Sequence, residues 1–574
     1  MHNRLSCCFD NAMRAAHRLS RGSSVSYRSE HEKQNVNGVG ETDESRRSAI
    51  RSIGKLMAAA TLPFAVGGNA RAQPTNQAPS RQAQPVPAAE KSAAELPVSE
   101  LMARFSTYIG QAKERPLPPD VMEKTKWALL DTLAAMVSGS QLPAGRAAIC
   151  FARECGGKPI STVIGDQSAA DPVTAALANG TMGHADETDD VLIGPWHPGC
   201  NVVPAALALG EKFGITGAHF LRAVALGYDI GSRVMQATGV KMNFRSPTNS
   251  MGGTWGAAAA AICAASLTEE QTRWALAYTA QQCSGIDDFR RDPQHIEKAF
   301  MNGGMGARSG VTSALLVLAG FNGVNDIMSG DVSFFSAYQD TANPRLLDYK
   351  LGEDFYITRA VFKHWPTGQP IAAPLDALHA LLQRHPIDSR QIREIVVSYW
   401  SPGTITDNSG PPDVNVQHAI ALMLADGRLT FKSIHDYARF KDPEIIRLRS
   451  LIKILRRAAG DVQQRAVIGA TGDLRNADAS TEPAIQILLS DGTRLVQDTV
   501  SPGPGTPDAP YTRAWMVGKA HSLMAPVLGR SQTKQLIETI LGLDEQQNIR
   551  VLGPLLRANA DDPPRLSEWP MEQT

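Results

Sequence analysis

The sequence lacks net charge: 57 basic residues balance 57 acidic residues over 574 positions. A nucleic-acid-binding protein normally carries a basic excess or a basic stripe, so this balance argues against that class. No Gly-x-Gly-x-x-Gly fingerprint follows a predicted strand, which argues against a dinucleotide cofactor. Beyond residue 72 the chain has no apolar run of the ~20 residues needed to span a bilayer. We therefore expect no nucleic-acid partner and, beyond residue 72, no membrane partner.

Cysteine is scarce as well. The cysteines beyond residue 72 are Cys150, Cys155, Cys200, Cys263 and Cys283, and none of them forms a Cys-x-x-Cys pair. This spacing supports neither a zinc site nor an iron–sulfur cluster. A disulfide between Cys150 and Cys155 stays open, but we favour buried thiols, because cysteine is among the most frequently buried residues.

The beginning of the chain has the order of an export signal. Ser45–Arg51 contains an Arg-Arg pair and looks like a twin-arginine motif, an apolar stretch follows at Leu56–Val66, and Ala70–Ala72 is an A-x-A cleavage site. We expect residues 1–72 to be a signal peptide cleaved after this site, and residues 73–96 to be a disordered linker. The mature protein would then be periplasmic or otherwise exported. The alternative is a basic, disordered N-terminus with a chance Arg-Arg pair.

Between residue 98 and about residue 340 the hydrophobic pattern is helical. Apolar residues recur at spacings of three and four from Val121 to Met136, and Leu117–Asp120 precedes them as a helix start, with Asp120 available as the N-cap. The pattern continues over Ala205–Phe213, Phe220–Tyr228 and Gly256–Ala265. The many Ala and Gly residues in these segments predict close packing between helices.

The pattern changes near Phe362. Ile371–Leu382 is one more predicted helix, after which Ile392–Tyr399 is β-branched and alternating, as in a strand. Glu482–Val500 is typical of a β-hairpin, with an Asp-Gly pair between two apolar runs that predicts a type I′ turn.

The order of these patterns predicts a mainly α fold with an inserted α+β domain. A helical pattern returns between Arg513 and Leu552, so both ends of the chain would form a large all-helical domain, with a smaller α+β lid domain between them. The predicted bounds are residues 97–360 for the first helical part, 361–504 for the α+β domain, 505–560 for the helical return and 561–574 for a tail.

Four stretches of the sequence match motifs of one enzyme family. They are Asn179–Asp190 with the following His197-Pro198-Gly199, then Gly253–Ala260, Glu297–Gly310 and Phe362–Pro366. In this order, and over residues 97 to 555, the chain resembles the MmgE/PrpD family. The resemblance implies a cofactor-free lyase of the 2-methylcitrate dehydratase or cis-aconitate decarboxylase type. It also implies a homodimer whose substrate is a small di- or tricarboxylate.

The chain also departs from the family's motifs. Glu187 stands where aspartate is usual, Val191 where many members have threonine, and His418 where tyrosine is frequent. The family usually has a histidine shortly before the Gly- and Ala-rich helix, but Phe244–Pro247 contains none. These positions are close to the expected chemistry, so the sequence leaves the substrate and the reaction type open.

Loss of water or carbon dioxide from a polycarboxylate builds negative charge on a carbon next to a carboxylate, which requires cations and an acid/base group. The candidate catalytic residues are His197, His184, Asp190 and His418, and the candidate substrate-binding residues are Lys298, Arg308, Lys363, Glu187 and Arg245. We predict that Lys298 and Arg308 lie in a Gly-rich loop. Lys298 would be an exposed loop residue that binds a substrate carboxylate between the two domains.

Other interpretations stay open. Lys298 can be a solvated surface lysine, Arg308 can pair with an acid, and Asp190 can cap the turn that follows it. The acidic residues near His184 and His197 have ligand types adequate for a divalent ion, although the family resemblance implies no metal. An isomerase or epimerase that uses the same proton abstraction is one alternative function. An exported polycarboxylate-binding protein without turnover is another.

Overall fold

In the computed structural model of the protein, the described residues are 97–192, 196–238, 248–286, 291–338, 342–399, 406–456, 484–500, 509–558 and 564–570. The predicted signal peptide, the predicted linker and Arg245 lie outside them. None of the helices in these ranges combines the length and the apolar content that crossing a bilayer requires.

Helices form most of the regular structure. In chain order the α-helices are α1 (Glu100–Gly110), α2 (Pro119–Gly139), α3 (Pro143–Cys155), α4 (Pro172–Gly183), α5 (Gly199–Phe213), α6 (Gly217–Ala237), α7 (Thr248–Ala264), α8 (Glu269–Ala280), α9 (Ile296–Ala299), α10 (Met305–Leu318), α11 (Phe334–Tyr338), α12 (Gln369–Arg384), α13 (Val416–Asp426), α14 (Phe431–Ile434), α15 (Pro443–Ser450), α16 (Arg513–Leu528), α17 (Arg530–Leu541) and α18 (Leu552–Leu555). A π-helical segment, Phe300–Gly304, joins α9 to α10. The strands are β1 (Ser161–Thr162), β2 (Ala169–Ala170), β3 (Ile392–Tyr399), β4 (Ile452–Arg456), β5 (Ile485–Leu489) and β6 (Arg494–Gln497).

Small residues bring the helices of the main body close together. The residues of Ala257–Ala264 in α7 are all buried. Gly256 of the same helix faces Gly227 of α6, and a Cβ added to Gly256 would lie only 2.7 Å from the Gly227 carbonyl oxygen. The helix backbones can approach because no side chain separates them, as the Ala and Gly content predicted.

The helix predicted from Val121 to Met136 is α2, which runs through the interior. It begins at Pro119, whose fixed φ suits a first helical position. The N-cap is Pro118, and Asp120 lies inside the first turn. The prediction of Asp120 as the N-cap was therefore wrong, because Pro119 starts the helix two residues earlier than that cap would.

The end of the chain adds α16 and α17 to the same hydrophobic core. Met516, Leu523 and Leu536 are buried in one cluster with residues of the earlier helices. Lys519 of α16 is buried too, and its Nζ lies 2.6 Å from Asp131 Oδ1 of α2. An apolar interface and a buried ion pair therefore join helices from the two ends of the chain.

A small sheet with its own core follows α12 in the sequence. Its strand order is β4–β3–β5–β6, with β3 parallel to β4 and antiparallel to β5. Ile395, Val397 and Ile487 of the sheet pack with buried residues of α12 and α13 in a separate hydrophobic cluster. The described chain is thus mostly helical with a small α+β part.

The strand and hairpin predictions are confirmed in position, but the predicted turn type was wrong. The bounds of β3 are those that the alternating pattern predicted, and β5 and β6 form the hairpin. A type I′ turn needs positive φ at both central residues. Gly492 has a φ of 91°, whereas the φ of Asp491 is not positive. A longer loop, in which the Gly492 amide donates to the Leu489 carbonyl, connects the strands instead.

The cysteines form no disulfide in the described chain. Cys150 and Cys155 both lie on α3, the first half-buried and the second exposed. Cys200, Cys263 and Cys283 are buried. The prediction of burial was wrong for Cys155, which ends its helix at the surface.

Candidate active site

Between α4 and α5 the chain passes through a buried acidic segment. Asp186, Glu187, Asp189 and Asp190 are each at most 3% exposed. A carboxylate is unstable in a protein interior unless a cation, a hydrogen bond or a proton compensates it. The partners come from α9, from the segment that leads into α12 and from neighbouring helices.

Lys298, one of these partners, lies on a helix rather than in a loop. It belongs to α9, which continues through the π-helical segment into α10, and it is 4% exposed. The predictions of a Gly-rich loop and of an exposed lysine were therefore wrong. Gly303 and Gly304 face Gly180 and Thr181 of α4 too closely for an added Cβ. Glycine is a local loop signal, but here a contact with another helix requires it.

Two lysines share Glu187. Lys298 Nζ donates to Glu187 Oε1, and Lys363 Nζ lies 2.6 Å from Glu187 Oε2. Burial alone would raise the pKa of Glu187, but the two ammonium groups hold it well below its usual value. Burial would lower the pKa of Lys363, yet Glu187 and Asp189 raise it. Glu187 is therefore a carboxylate held between two cations.

His184, the C-cap of α4, positions Lys298. Its Nε2 lies 2.7 Å from Lys298 Nζ, and Nε2 accepts the hydrogen bond because an ammonium group can only donate. The ring proton is then on Nδ1, which donates to Asp189 Oδ2 at 3.0 Å. Burial, and then the charge of Lys298, lower the pKa of His184 to about 3, so the ring is neutral. Both ring nitrogens are engaged within the protein.

His197 reaches solvent, with 14% of its side chain exposed. It lies in the turn directly before α5. Its Nδ1 donates to the backbone carbonyl of Asp190 at 3.1 Å and lies 3.4 Å from Asp189 Oδ2. A bond of this kind fixes the tautomer and makes Nε2 the reactive nitrogen of the ring.

Asp190 is held by the fold. Its Oδ1 accepts a hydrogen bond from the amide of Gly199 at the start of α5, and its Oδ2 accepts one from the Tyr228 hydroxyl at 2.8 Å. Burial, assisted by the carboxyl group of Asp131, raises the pKa of Asp190 to about 8. These contacts agree with the interpretation that Asp190 caps the turn that follows it.

The structure adds residues that the motifs did not indicate. His295, directly before α9, has its ring centroid 5.3 Å from that of His184. Asp413, in the segment before α13, binds His295, and His435 Nε2 lies 3.8 Å from Asp413 Oδ2. Asn302 Nδ2 lies 3.1 Å from His184 Nε2. His295 and Asn302 flank Lys298 in the sequence and could have been considered, whereas Asp413 and His435 carry no local signal.

The structure does not bring all predicted site residues together. Arg308 lies on α10 with its guanidinium 5.9 Å from the ring centroid of Phe300, and it lines a separate cavity of about 380 Å³. His418 is buried on α13 with its ring 4.1 Å from that of Phe440, and burial lowers its pKa to about 3. Neither side chain contacts the two lysines. Arg245 lies outside the described residues.

Among the described residues, three donor groups are compact enough for one metal ion. They are His184 with Asp189 and Cys200, His184 with Glu187 and His295, and Glu187 with Asp189 and His197. The Lys298 ammonium group already binds His184 and Glu187, and His184 donates to Asp189. Burial raises the pKa of Cys200 well above its usual value, so its thiol is protonated. These donors therefore fit the lysine better than a metal ion.

We call His184, Glu187, His197, Lys298 and Lys363 the lysine cluster. It contains two fixed ammonium groups and an imidazole that reaches solvent. An ammonium group stabilises a carboxylate and the negative charge that develops beside it. An imidazole can both accept and release a proton. The cluster therefore suits acid/base chemistry at a carbon next to a carboxylate.

Comparison with known proteins bears on this site. The MmgE/PrpD N-terminal domain matches residues 103–347, and the MmgE/PrpD C-terminal domain matches residues 365–545. The cis-aconitate decarboxylase-like protein oryM of Aspergillus oryzae is 26% identical over 344 residues, which are 55% of this chain and 70% of that protein. The cis-aconitate decarboxylase of Aspergillus terreus is 22% identical over 485 residues, 78% of this chain and 94% of the relative.

The two domain matches lie in the family's order and together span most of the chain. They include the acidic segment, α9 and Lys298 in the first match, and the whole sheet in the second. The chain therefore belongs to the MmgE/PrpD family.

Proposed function

We propose that this chain is a lyase that removes water or carbon dioxide from a small di- or tricarboxylate without a cofactor. The observation that carries the proposal is the convergence of Lys298 and Lys363 on Glu187, beside the imidazole of His197. The likeness to proteins named cis-aconitate decarboxylase also supports it. The first substrate class to test is an unsaturated tricarboxylate, or the hydroxy acid that yields it on dehydration.

In this proposal the two lysines stabilise charge. A substrate carboxylate bound to Lys298 or Lys363 shares that cation with Glu187. When electron density moves onto the neighbouring carbon, it spreads into the carboxylate oxygens, where the ammonium group stabilises it more strongly than in the ground state. One such charged hydrogen bond contributes about 1.5–3 kcal/mol, which corresponds to a rate effect of about ten- to a hundredfold.

His197 transfers a proton at the solvent side of the lysine cluster. The carbonyl of Asp190 holds Nδ1, so Nε2 is the nitrogen that exchanges protons. In dehydration an acid must protonate the leaving hydroxyl group, and this imidazole supplies that proton. A positioned imidazole of this kind contributes about 10²–10⁴-fold to the rate.

The test is a product assay by proton NMR, with the purified chain and citrate, 2-methylcitrate or cis-aconitate as separate substrates. We expect loss of water or carbon dioxide from at least one acid. Lys363→Ala should lower kcat/KM by at least about tenfold. Lys453→Ala, which removes an exposed lysine of β4 that pairs with Glu394, is the matched control and should leave kcat/KM unchanged.

Two results would contradict the lyase. Saturable binding of these acids without any product would favour the exported binding protein. Interconversion of isomers without loss of a group would favour the isomerase or epimerase. Calorimetric titration beside the product assay distinguishes these outcomes.

A further inference from the structure

Beside the lysine cluster lies a second imidazole–carboxylate pair, formed by His295 and Asp413. His295 Nδ1 is 2.9 Å from Asp413 Oδ2 and 3.1 Å from Oδ1, so it donates to the carboxylate. Both residues are 1% exposed, and they are 118 positions apart in the sequence. The pair joins the start of α9 to the segment before α13.

The other ring nitrogen of His295 is buried and has no hydrogen-bond partner within the described part of the chain. A buried polar atom without a partner is unfavourable, so its position calls for an explanation. The lysine cluster adjoins it: a ring nitrogen of His295 lies within 4.8 Å of donor atoms of His184 and Glu187. The His295 ring therefore borders the place where Lys298 would hold a substrate carboxylate.

The backbone of His295 points to more than a packing role. Its φ is 59°, in the left-handed region that few residues other than glycine adopt, although Asn, Asp and His do so more often than most. The next residue begins α9, and the Asp292 side chain accepts hydrogen bonds from the amides of Glu297 and Lys298. His295 and Lys298 thus belong to one turn that is held by hydrogen bonds to Asp292, and these bonds fix the distance between the two residues. Backbone strain of this kind concentrates at functional sites.

We propose that His295 handles the proton at the substrate carbon next to the bound carboxylate, with Asp413 as its positioning residue. The inference rests on the proposed lyase function and deepens it, because it names the acid/base partner of His197. In loss of water, His295 Nε2 takes the proton from this carbon, and the C–H electron pair forms the C=C bond. The hydroxyl group then leaves as water with a proton from His197. Solvent restores both imidazoles.

Loss of carbon dioxide uses the same nitrogen in the opposite direction. The electron pair of the broken C–C bond forms a new C=C bond, the pair of the original C=C bond moves onto the carbon next to the bound carboxylate, and carbon dioxide leaves. Protonated His295 then gives its Nε2 proton to that carbon and regains one from solvent. The same residue therefore serves either form of the proposed lyase reaction.

Asp413 has two effects on His295. It keeps the ring proton on Nδ1, so Nε2 carries the lone pair, and it stabilises the imidazolium that forms when Nε2 takes a proton. Burial alone would raise the pKa of Asp413, but His295 and His435 hold it well below its usual value. Asp413 therefore remains a carboxylate while His295 changes its charge.

His295→Asn tests the proposal with little change to the fold. Asparagine tolerates the left-handed backbone, and its amide can donate to Asp413 in place of Nδ1, but it cannot take up a proton. With the acid that the wild-type enzyme turns over, we expect kcat to fall by about 10²–10⁴-fold. KM and the melting temperature should change little. His385→Asn, at the exposed end of α12, is the matched control and should behave as wild type.

Asp413→Asn is the second variant. It removes the charge that orients His295 and should lower kcat by at least about tenfold without a comparable rise in KM. An unchanged kcat in folded His295→Asn would make the pair a structural tie and would overturn the proposal. If His295→Asn does not fold, an unchanged kcat in Asp413→Asn has the same consequence.

A spectroscopic readout separates this inference from the lyase function itself. In protein labelled with ¹⁵N-histidine, citrate should shift the Nε2 signal of His295, which is assigned by its loss in His295→Asn. If the wild-type chain turns over no acid, the lyase function fails, but this titration still shows whether His295 faces a bound polycarboxylate. A His295 signal that stays unchanged up to the highest citrate concentration would overturn the inference.

Discussion

At the scale of single residues, the charges of the lysine cluster depend on one another. Lys298 and Lys363 both bind Glu187, and all three side chains are buried. Removing one partner of a buried ion pair leaves the other charge uncompensated, which costs about 3–5 kcal/mol. A substitution in this cluster therefore changes stability as well as activity.

Lys298→Ala should lower kcat/KM by about ten- to a hundredfold and should also lower the free energy of unfolding, by less than the ~3–5 kcal/mol of a fully unpaired buried charge because Glu187 keeps Lys363. Adding Glu187→Gln should recover much of the lost stability, because less unpaired charge then remains, but it should not recover activity. Denaturant titrations of the two single variants and the double variant measure the coupling. If the two losses of stability simply add, Lys298 and Glu187 are not coupled and this account is wrong.

Asp190 should make stability depend on pH. Burial, together with the Asp131 carboxyl, raises its pKa to about 8 from the ordinary 3.8. Folding therefore takes up a proton between these values, so the stability from this group is complete below 3.8 and is lost as the pH rises through about 8. Asp190→Asn, which keeps the shape of the protonated acid, should flatten this decline.

Melting temperatures of wild type and Asp190→Asn across this pH window provide the measurement. Asp331→Asn, in an exposed loop, is the matched control and should keep the wild-type slope. A slope that Asp190→Asn leaves as steep as in wild type would show that other groups cause the decline.

The motifs predicted the members of the lysine cluster but not how they are arranged. His184, Glu187 and His197 lie in one short stretch, so a local pattern could identify them. The His295–Asp413 pair could not be identified in this way, because tertiary packing brings together residues that are 118 positions apart. Predicted residues share a site only if their side chains leave their helices toward the same point. A segment that is interpreted as a loop gives no such direction, so the sequence could not predict which residues meet.

At the scale of elements, periodicity succeeded where one face of an element repeats over several turns. It located α2, α6 and β3 because their apolar residues follow the spacing of a helix or a strand. It failed from the end of α9 into α10, where four glycines between Gly303 and Gly310 suggested a loop. The sequence shows that a residue is small but not that a second helix lies against it, so glycine was interpreted by its local tendency alone.

Two glycine substitutions test this interpretation. Gly303→Ala should destabilise the protein by about 1–3 kcal/mol, because the added methyl group would meet the Gly180 carbonyl oxygen of α4. Gly518→Ala is the matched control: this glycine lies inside α16 with no heavy atom within 4 Å of an added Cβ. It should stabilise the protein by about 0.5–1 kcal/mol. Thermal melts of both variants measure the two changes in stability. Equal changes would contradict the interpretation that contact with α4 requires glycine at position 303.

At the scale of the whole molecule, hydrophobic cores and family domains have different boundaries. The C-terminal domain of the family matches residues 365–545, which include α16 and α17. The apolar residues of these two helices nevertheless belong to the core of the first helices. The changes of periodicity near Phe362 and Arg513 predicted an α+β part and then a return to helices, and the predicted domain bounds stay a prediction. The contacts that create it, such as Lys519 with Asp131, depend on docking and left no pattern in the sequence.

Export of the protein stays a prediction, as does the homodimer. Arg46→Lys combined with Arg47→Lys should leave the protein in the cytoplasm, whereas exported protein should begin at Gln73. Cell fractionation and N-terminal sequencing give the answer. Arg18→Lys combined with Arg21→Lys, outside the twin-arginine motif, is the matched control and should be exported normally. Mature protein that still begins at Met1 would contradict the signal peptide.

The packing of α16 against α2 also has a consequence for synthesis of the chain. The ribosome makes α2 early, but it reaches α16 only after it has completed the sheet and its helices. At a synthesis rate of about 5–20 residues per second, this interval lasts on the order of 20–75 s. During that time the surface of α2 that α16 covers is exposed, and Asp131 lacks the lysine that neutralises it. We expect chaperones to bind the nascent chain at this stage, and a premature stop even after residue 500 to yield a degraded fragment rather than a smaller enzyme.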